Sequence, residues 1–216
     1  MAEWAKIGDF RTDGLGLDLY NLSIGAPKIK TSYINLPLES KVLDLSDVVT
    51  GRPSYGARTI TLYLGKKDRS PRNWIKTATE LASKIHGKRL PITLSIDPDY
   101  YYLGRIQCSS DKISFMRSTY EITATCDPYK YAQTESSAVC GAGTTAVLNS
   151  GDEIVSPTFT ASVEGMTVAL NGGAAYSIAQ VGKAVKIPEL LLLPGANNVT
   201  VTGTGNVVLT WREGVL

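Results

Sequence analysis

A single stretch of this chain, residues 71–86, spaces its apolar side chains by three and four positions, as an amphipathic helix requires. Ser70 stands before it as a candidate N-cap, Pro71 takes the first helical position, and Gly87 follows its end. The apolar stripe consists of Trp74, Ile75, Ala78, Leu81, Ala82 and Ile85. Because such a helix must bury its apolar side against another layer, the segment predicts a helix packed on a β-sheet.

Alternation of apolar and polar residues at period two flanks this helix on both sides and predicts β-strands. It runs through residues 58–64 before the helix and through residues 90–96, 101–108 and 120–126 after it. The sequence Asp97-Pro98-Asp99 predicts a turn between two of these strands. The order strands, helix, strands predicts a mainly β first domain of the α+β type.

Short β segments separated by Gly- and Asn-rich turns return near the C-terminus. Their spacing predicts a small antiparallel β-sandwich. The predicted strands are 158–163, 166–170, 175–179, 184–187, 198–201 and 207–211.

Charge and composition change together after residue 131. Residues 1–131 hold 19 Lys and Arg against 14 Asp and Glu, whereas residues 132–216 hold 3 against 6. Residues 132–150 are small, polar and without periodicity, which favours a connecting segment. We therefore predict a first domain over 1–131, a linker over 132–150, and a second domain over 151–216.

Overall charge and hydropathy argue against two classes of partner. The net charge of +2 is too small for general attraction to nucleic acid or a membrane surface. The longest apolar run, residues 190–193, falls far short of the roughly 20 residues that cross a bilayer, so no membrane insertion is expected. Residues 1–8 lack a basic leader with an apolar run, which predicts synthesis and folding in a cytoplasm.

The residues that usually bind metals or perform nucleophilic chemistry are few and poorly spaced. Three cysteines, Cys108, Cys126 and Cys140, form no CxxC pair, so reduced and mostly buried thiols are expected. The only histidine, His86, follows the predicted helix, where a cation interacts favourably with the helix dipole. The sequence predicts no metal, no cofactor and no catalytic residues, and hence no enzyme.

Three short motifs follow one another in the first domain: Ile85-His86-Gly87 at the helix end, Tyr101-Tyr102-Leu103-Gly104-Arg105 in a strand, and Asp127-Pro128-Tyr129. Their identity and order resemble the distal tail protein family of siphovirus-type bacteriophages. The second domain, on its ending from Leu193 to Leu216, is similar to the galectin-like or carbohydrate-binding-module-like sandwich of that family.

The resemblance implies a structural protein of the virion. In such proteins the first domain assembles as a homo-hexameric ring at the tail tip or baseplate. The ring joins the tail tube protein to the hub, fibre and adhesion proteins. Its central channel holds the tape-measure protein and passes the genome without specific recognition. The expected location is the phage tail tip, after synthesis in the cytoplasm of the host bacterium.

Ring interfaces between identical subunits commonly use extended arms and strand edges. The segments 33–46 and 66–69 are the most exposed features expected of the first domain. The candidate assembly residues are Tyr33, Ile34, Asn35, Lys66, Lys67 and Arg69.

Two other functions compete with ring assembly. The second domain could act as a carbohydrate-binding module or host-surface adhesion protein, with Tyr176 and Trp211 on the sugar-binding face. A cell-wall hydrolase has the least support, because no acid, base or nucleophile constellation is present.

Overall fold

The computed structural model describes residues 3–35, 41–48, 51–67, 70–114, 116–143 and 145–216. The chain is mainly β with one described α-helix, which confirms the predicted fold class. It divides into two compact units, residues 1–128 and 129–216. No described helix is both long and apolar enough to cross a membrane.

The first unit contains eleven described strands and the helix. They are β1 (Ala5–Ile7), β2 (Phe10–Arg11), β3 (Asp18–Ile24), β4 (Ile29–Lys30), β5 (Tyr33–Asn35), β6 (Val42–Asp44), β7 (Ser54–Tyr55), β8 (Arg58–Lys67), α1 (Pro71–Ile85), β9 (Arg89–Leu94), β10 (Asp97–Ser114) and β11 (Arg117–Ala132). Seven of the strands form one antiparallel sheet in the order β2-β1-β9-β10-β11-β8-β3.

Strand pairing in this sheet places apolar residues opposite one another on the core side. Tyr120 lies opposite Leu64, and Ile122 lies opposite Leu62. All four side chains are buried, while the residues between them are partly exposed. The period-two pattern of the sequence therefore corresponds to one covered face of the sheet.

The helix α1 covers that face through Leu81 and Ile85, which are buried in the core. Trp74 and Ala78 pack against the same core and remain partly exposed. Ile75, which the predicted stripe included, is instead 56% exposed, because it lies at the margin of the buried side. The helix ends at Ile85, one residue before the predicted end.

The three sequence motifs meet where the helix returns to the sheet. His86 Nδ1 accepts a hydrogen bond from the amide of Cys108 at 3.0 Å, and Arg105 donates to the carbonyl of Gly87 at 2.6 Å. Gly87 adopts a φ of +74°, which favours glycine at this turn. Asp127 forms an ion pair with Arg89 at 2.5 Å. The motif residues thus fasten α1, β9, β10 and β11 to one another.

Gly104 supports a prediction about this junction. A Cβ atom at this position would lie 2.5 Å from Cys126 Sγ and 2.9 Å from the carbonyl of Thr125. We expect Gly104→Ala to lower the free energy of unfolding by about 1–3 kcal/mol, because overpacking forces the strands apart. Gly14→Ala is the matched control, since a Cβ there meets nothing within 4 Å. Urea denaturation measures both, and equal stability of the two variants would contradict the prediction.

The second unit is a two-sheet arrangement of short strands. They are β12 (Ser136–Gly141), β13 (Thr145–Asn149), β14 (Thr158–Ala161), β15 (Thr167–Leu170), β16 (Tyr176–Ser177), β17 (Val185–Lys186), β18 (Ala196–Thr202), β19 (Asn206–Trp211) and β20 (Gly214–Val215). One sheet has the order β12-β19-β14-β17 and the other β13-β18-β15-β16, while β20 belongs to neither and pairs with Lys130 and Tyr131 of β11. Both sheets contribute to one core, with Phe159 and Leu209 from the first and Val168 and Val201 from the second.

The predicted linker, residues 132–150, differs from the structure. Its residues form β12, which pairs with β19, and β13, which pairs with β18. Cys140 and Leu148 are buried in the core of the second unit. Small Ser, Ala and Gly residues conceal the period-two pattern, while pairing with β19 and β18 holds the segment in place. The unit boundary after Pro128 lies inside β11, close to the predicted boundary at residue 131.

Candidate assembly surface of the first unit

An arm leaves the large sheet of the first unit between β3 and β8; it comprises the described parts of residues 25–57. At its base, Gly25 donates its amide hydrogen to the carbonyl of Thr59 at 2.8 Å. The stem is the antiparallel pair β4 and β7, and the tip is the antiparallel pair β5 and β6. Neither pair belongs to the larger sheet.

The arm exposes apolar side chains to solvent. Their exposed fractions lie between 46% and 70%. The residues are Ile29, Tyr33, Ile34, Val42, Leu43 and Val48. Exposed apolar residues that cluster on one segment are typical of a binding surface.

The two strands of the tip present two different faces. Tyr33 is paired with Asp44 and Asn35 with Val42, so these four side chains share one face. Ile34 and Leu43 are paired on the other face. One face therefore combines an aromatic ring, an amide and a carboxylate, whereas the other is purely apolar.

Local hydrogen bonds fix the carboxylate of the tip. The hydroxyl and the backbone amide of Ser46 both donate to Asp44 Oδ1, the amide at 2.9 Å. These bonds lower the pKa of Asp44, the side-chain bond most, so its carboxylate is ionised at neutral pH. Ser32 joins the same turn, since its amide donates to Ser46 Oγ at 2.9 Å. The end of the tip nearest the stem thus carries a fixed negative charge.

A groove of about 340 Å³ lies where β3, β8 and β11 run side by side. It is lined by Asp18, Tyr20, Gly65, Lys66, Lys67, Arg117, Ser118 and Thr119. Three of these residues are cationic and one is acidic. We call it the basic groove.

Strand register explains why the cations of the basic groove lie together. Lys67 is directly opposite Arg117, and both side chains are exposed. Like charges opposite each other destabilise a strand pair, and an anion between them removes that penalty. The Lys66 side chain is instead directed toward α1, where it donates to Thr77 Oγ1 at 3.2 Å. Lys67 and Arg117 therefore form the anion-attracting part of the groove.

Tyr20 supplies the aromatic wall of the basic groove. Its side chain is 60% exposed and lies against Gly65, where a Cβ atom would come within 3.4 Å of the ring. The ring centroid is 6.4 Å from that of Tyr63. An aromatic wall beside two cations suits a peptide segment that carries both apolar and acidic side chains.

The structure describes five of the six predicted assembly residues. Tyr33, Ile34 and Asn35 form β5 at the arm tip and are exposed. Lys66 and Lys67 end β8 and line the basic groove. Arg69 lies outside the described residues. Sequence reasoning missed Tyr20 and Arg117, because only strand pairing brings them beside Lys67.

The two candidate sugar-binding residues do not form one exposed platform, which corrects that prediction. Trp211 is buried in β19, and its indole nitrogen donates to the carbonyl of Asn149 at 3.2 Å. Tyr176 lies in β16 of the other sheet and is partly buried against the core. Alternation along β19 directs Trp211 inward, a direction that the sequence alone leaves open.

The three thiols lie in apolar surroundings. Burial raises the pKa of Cys108 to about 11 and that of Cys126, with a contribution from Asp127, to about 12. Burial also raises the pKa of Cys140. At neutral pH all three are thiols, the less reactive form. Among the described residues, no group of three or more His, Cys, Asp or Glu side chains could hold a metal ion.

Comparison with known proteins gives a match of fold. No family model and no curated protein sequence matches the chain. The crystal structure of Dit from phage SPP1 matches over 100% of both chains, with a TM-score of 0.77 and 13% identity. That protein is described as a paradigm of the hub adsorption apparatus in phages that infect Gram-positive bacteria. The match confirms the resemblance to distal tail proteins at the level of the fold.

Proposed function

We propose that this chain is a structural protein of a phage tail, forming a ring at the distal end of the tail. The observation that carries the proposal is the match of fold to SPP1 Dit over the whole of both chains. The ordered motifs at residues 85–87, 101–105 and 127–129 support it independently, since they are a feature of sequence. No reaction is assigned, because the proposed work is assembly.

The first unit has the features that a ring subunit needs. A contact in which both copies use the same surface joins only two copies. A contact between two different surfaces can continue from copy to copy around a ring. The arm and the basic groove are two such surfaces. The strand β3 is also an edge of the sheet, open to pairing on its outer side in the described topology.

The proposed ring is a homo-hexamer with defined neighbours in the particle. It would connect the tail tube protein on one side to hub, fibre and adhesion proteins on the other. The tape-measure protein and the genome would pass through its channel without base recognition. The net charge of +2 agrees with this, because strong attraction to DNA would hinder its passage.

The assembly state of the purified protein tests this proposal. We expect native mass spectrometry to show six copies of the 23.2 kDa chain, and negative-stain images to show six-fold rings. Antibody labelling of phage particles should mark the tail tip. A chain that stays monomeric at high concentration and is absent from tail particles would overturn the proposal.

Glycan recognition by the second unit is a weaker alternative. The burial of Trp211 and the separation of Tyr176 from it leave that predicted face without a stacking platform. A thermal shift with host cell-wall glycans tests it directly, and a glycan-dependent rise of Tm in a monomeric protein would favour it over the ring.

A further inference from the structure

We propose that the arm tip of one copy binds in the basic groove of the next copy, and that this contact sets the direction of the ring. The inference rests on the proposed ring function and adds to it the two surfaces that meet. It assigns the arm residues 33–35 and 42–47 to one side of the interface and Tyr20, Lys67 and Arg117 to the other.

Charge complementarity favours this pairing. The basic groove carries Lys67 and Arg117 opposite each other at the end of the β8–β11 ladder. The tip carries Asp44, ionised and fixed by Ser46, and the exposed Asp47 follows three residues later. Lys41 precedes β6, at the other end of that strand, so the negative charge is confined to one end of the tip. Carboxylates placed between the two cations would relieve their mutual repulsion.

Apolar complementarity points to the same pairing. On the tip, Tyr33 and Val42 share the face that carries Asp44. In the groove, the exposed Tyr20 ring packs over Gly65, which has no side chain to displace it, and forms an aromatic wall. Burial of Tyr33 and Val42 against Tyr20 would remove exposed apolar surface from both copies. Neither surface is covered within the described chain, since all three side chains are more than half exposed.

A second copy fits the groove better than nucleic acid does. A phosphate backbone needs a row of cations, and among the described lining residues only Lys67 and Arg117 point their charge into the groove, since Lys66 donates to Thr77. Nothing in the groove offers the row of stacking aromatic residues that single strands require, since Tyr20 is its only aromatic lining residue among those described. Every copy carries both surfaces, so an acidic and apolar tip is available for each groove.

Charge reversal in pairs tests the contact. The arm variant is Asp44→Lys with Asp47→Lys, and the groove variant is Lys67→Glu with Arg117→Glu. All four side chains are exposed, so both variants should fold. Lys66 stays unchanged, because it bonds to Thr77. We expect each variant alone to lose the ring, since like charges would then face each other at every contact.

Mixing the two variants gives the decisive result. In the mixture every arm of one variant meets a groove of opposite charge on the other, and alternation closes a ring of six. We therefore expect native mass spectrometry to recover rings with three copies of each variant. The control, Lys183→Glu with Lys186→Glu, makes the same charge change on exposed residues of the second unit and should leave rings intact.

The possible failures are distinguishable from one another. Rings that persist in either variant alone would overturn the proposed contact while leaving the ring function standing. Variants that lose the ring without recovery on mixing would also overturn it. Wild-type binding to a DNA duplex that the groove variant abolishes would assign the groove to nucleic acid instead. Absence of rings in the wild type would reject the ring function itself.

Discussion

Substituting Ile34→Asp together with Val42→Asp should convert the proposed ring into monomers without unfolding the chain. The two residues lie on opposite faces of the arm tip, so the change affects whichever face is buried between copies. Burial of an aliphatic side chain contributes about 1.5–3 kcal/mol, so a contact that buries one face of the tip loses about that much. This corresponds to roughly one to two powers of ten in the association constant of each contact, repeated at every contact of the proposed ring.

Size-exclusion chromatography with light scattering would measure this loss, and far-UV circular dichroism would show that the strands remain. Ile75→Asp with Ile96→Asp is the matched control, because both side chains are exposed apolar residues outside the arm. The control should stay in rings. Rings that survive the arm substitutions at micromolar concentration would remove the arm from the interface.

Phe159→Ala should destabilise the second unit by about 3–5 kcal/mol. The side chain is fully buried between the two sheets, beside Leu209 and the apolar residues of β15 and β18. Its removal leaves a cavity that a core of two short-stranded sheets closes poorly. Because residues 129–216 form a compact unit of their own, we expect the loss to be concentrated there.

Hydrogen exchange measured by mass spectrometry separates the two units. Exchange should rise across β12 to β19 and stay unchanged in α1 and β8. Val139→Ala is the control in the same unit, since Val139 is 66% exposed, and its effect should stay within about 0.5 kcal/mol. An equal rise of exchange in both units would show that they unfold as one.

The helix and the main strands of the first unit were predictable because their signals are local. Pro71 and Gly87 mark the two ends of α1, and the alternation in residues 58–64 fixes the covered face of β8. The arm was predictable only as an exposed segment. Its division into stem and tip depends on pairing of strands of two or three residues, which carry too little periodicity to detect.

Features that depend on contacts distant in sequence were missed. Lys67 and Arg117 lie opposite each other because of the register of β8 and β11. These two strands are separated in the sequence by α1, β9 and β10. The strands β12 and β13 escaped prediction because Ser136–Gly141 is made of small residues whose alternation of burial is set by β19. Trp211 was placed on an open face because an isolated tryptophan near a chain end does not disclose which side of its strand is covered.

The raised pKa values of the three thiols have a consequence for the proposed tail protein, which would leave its host cell in a particle. Cys108, Cys126 and Cys140 keep their protons at neutral pH and, apart from the partly exposed Cys108, lie within a core. The thiolate is the form that reacts with oxidants and disulfides, so these thiols should be oxidised slowly in aerated medium. A virion component with this chemistry would persist between infections without becoming cross-linked to its neighbours.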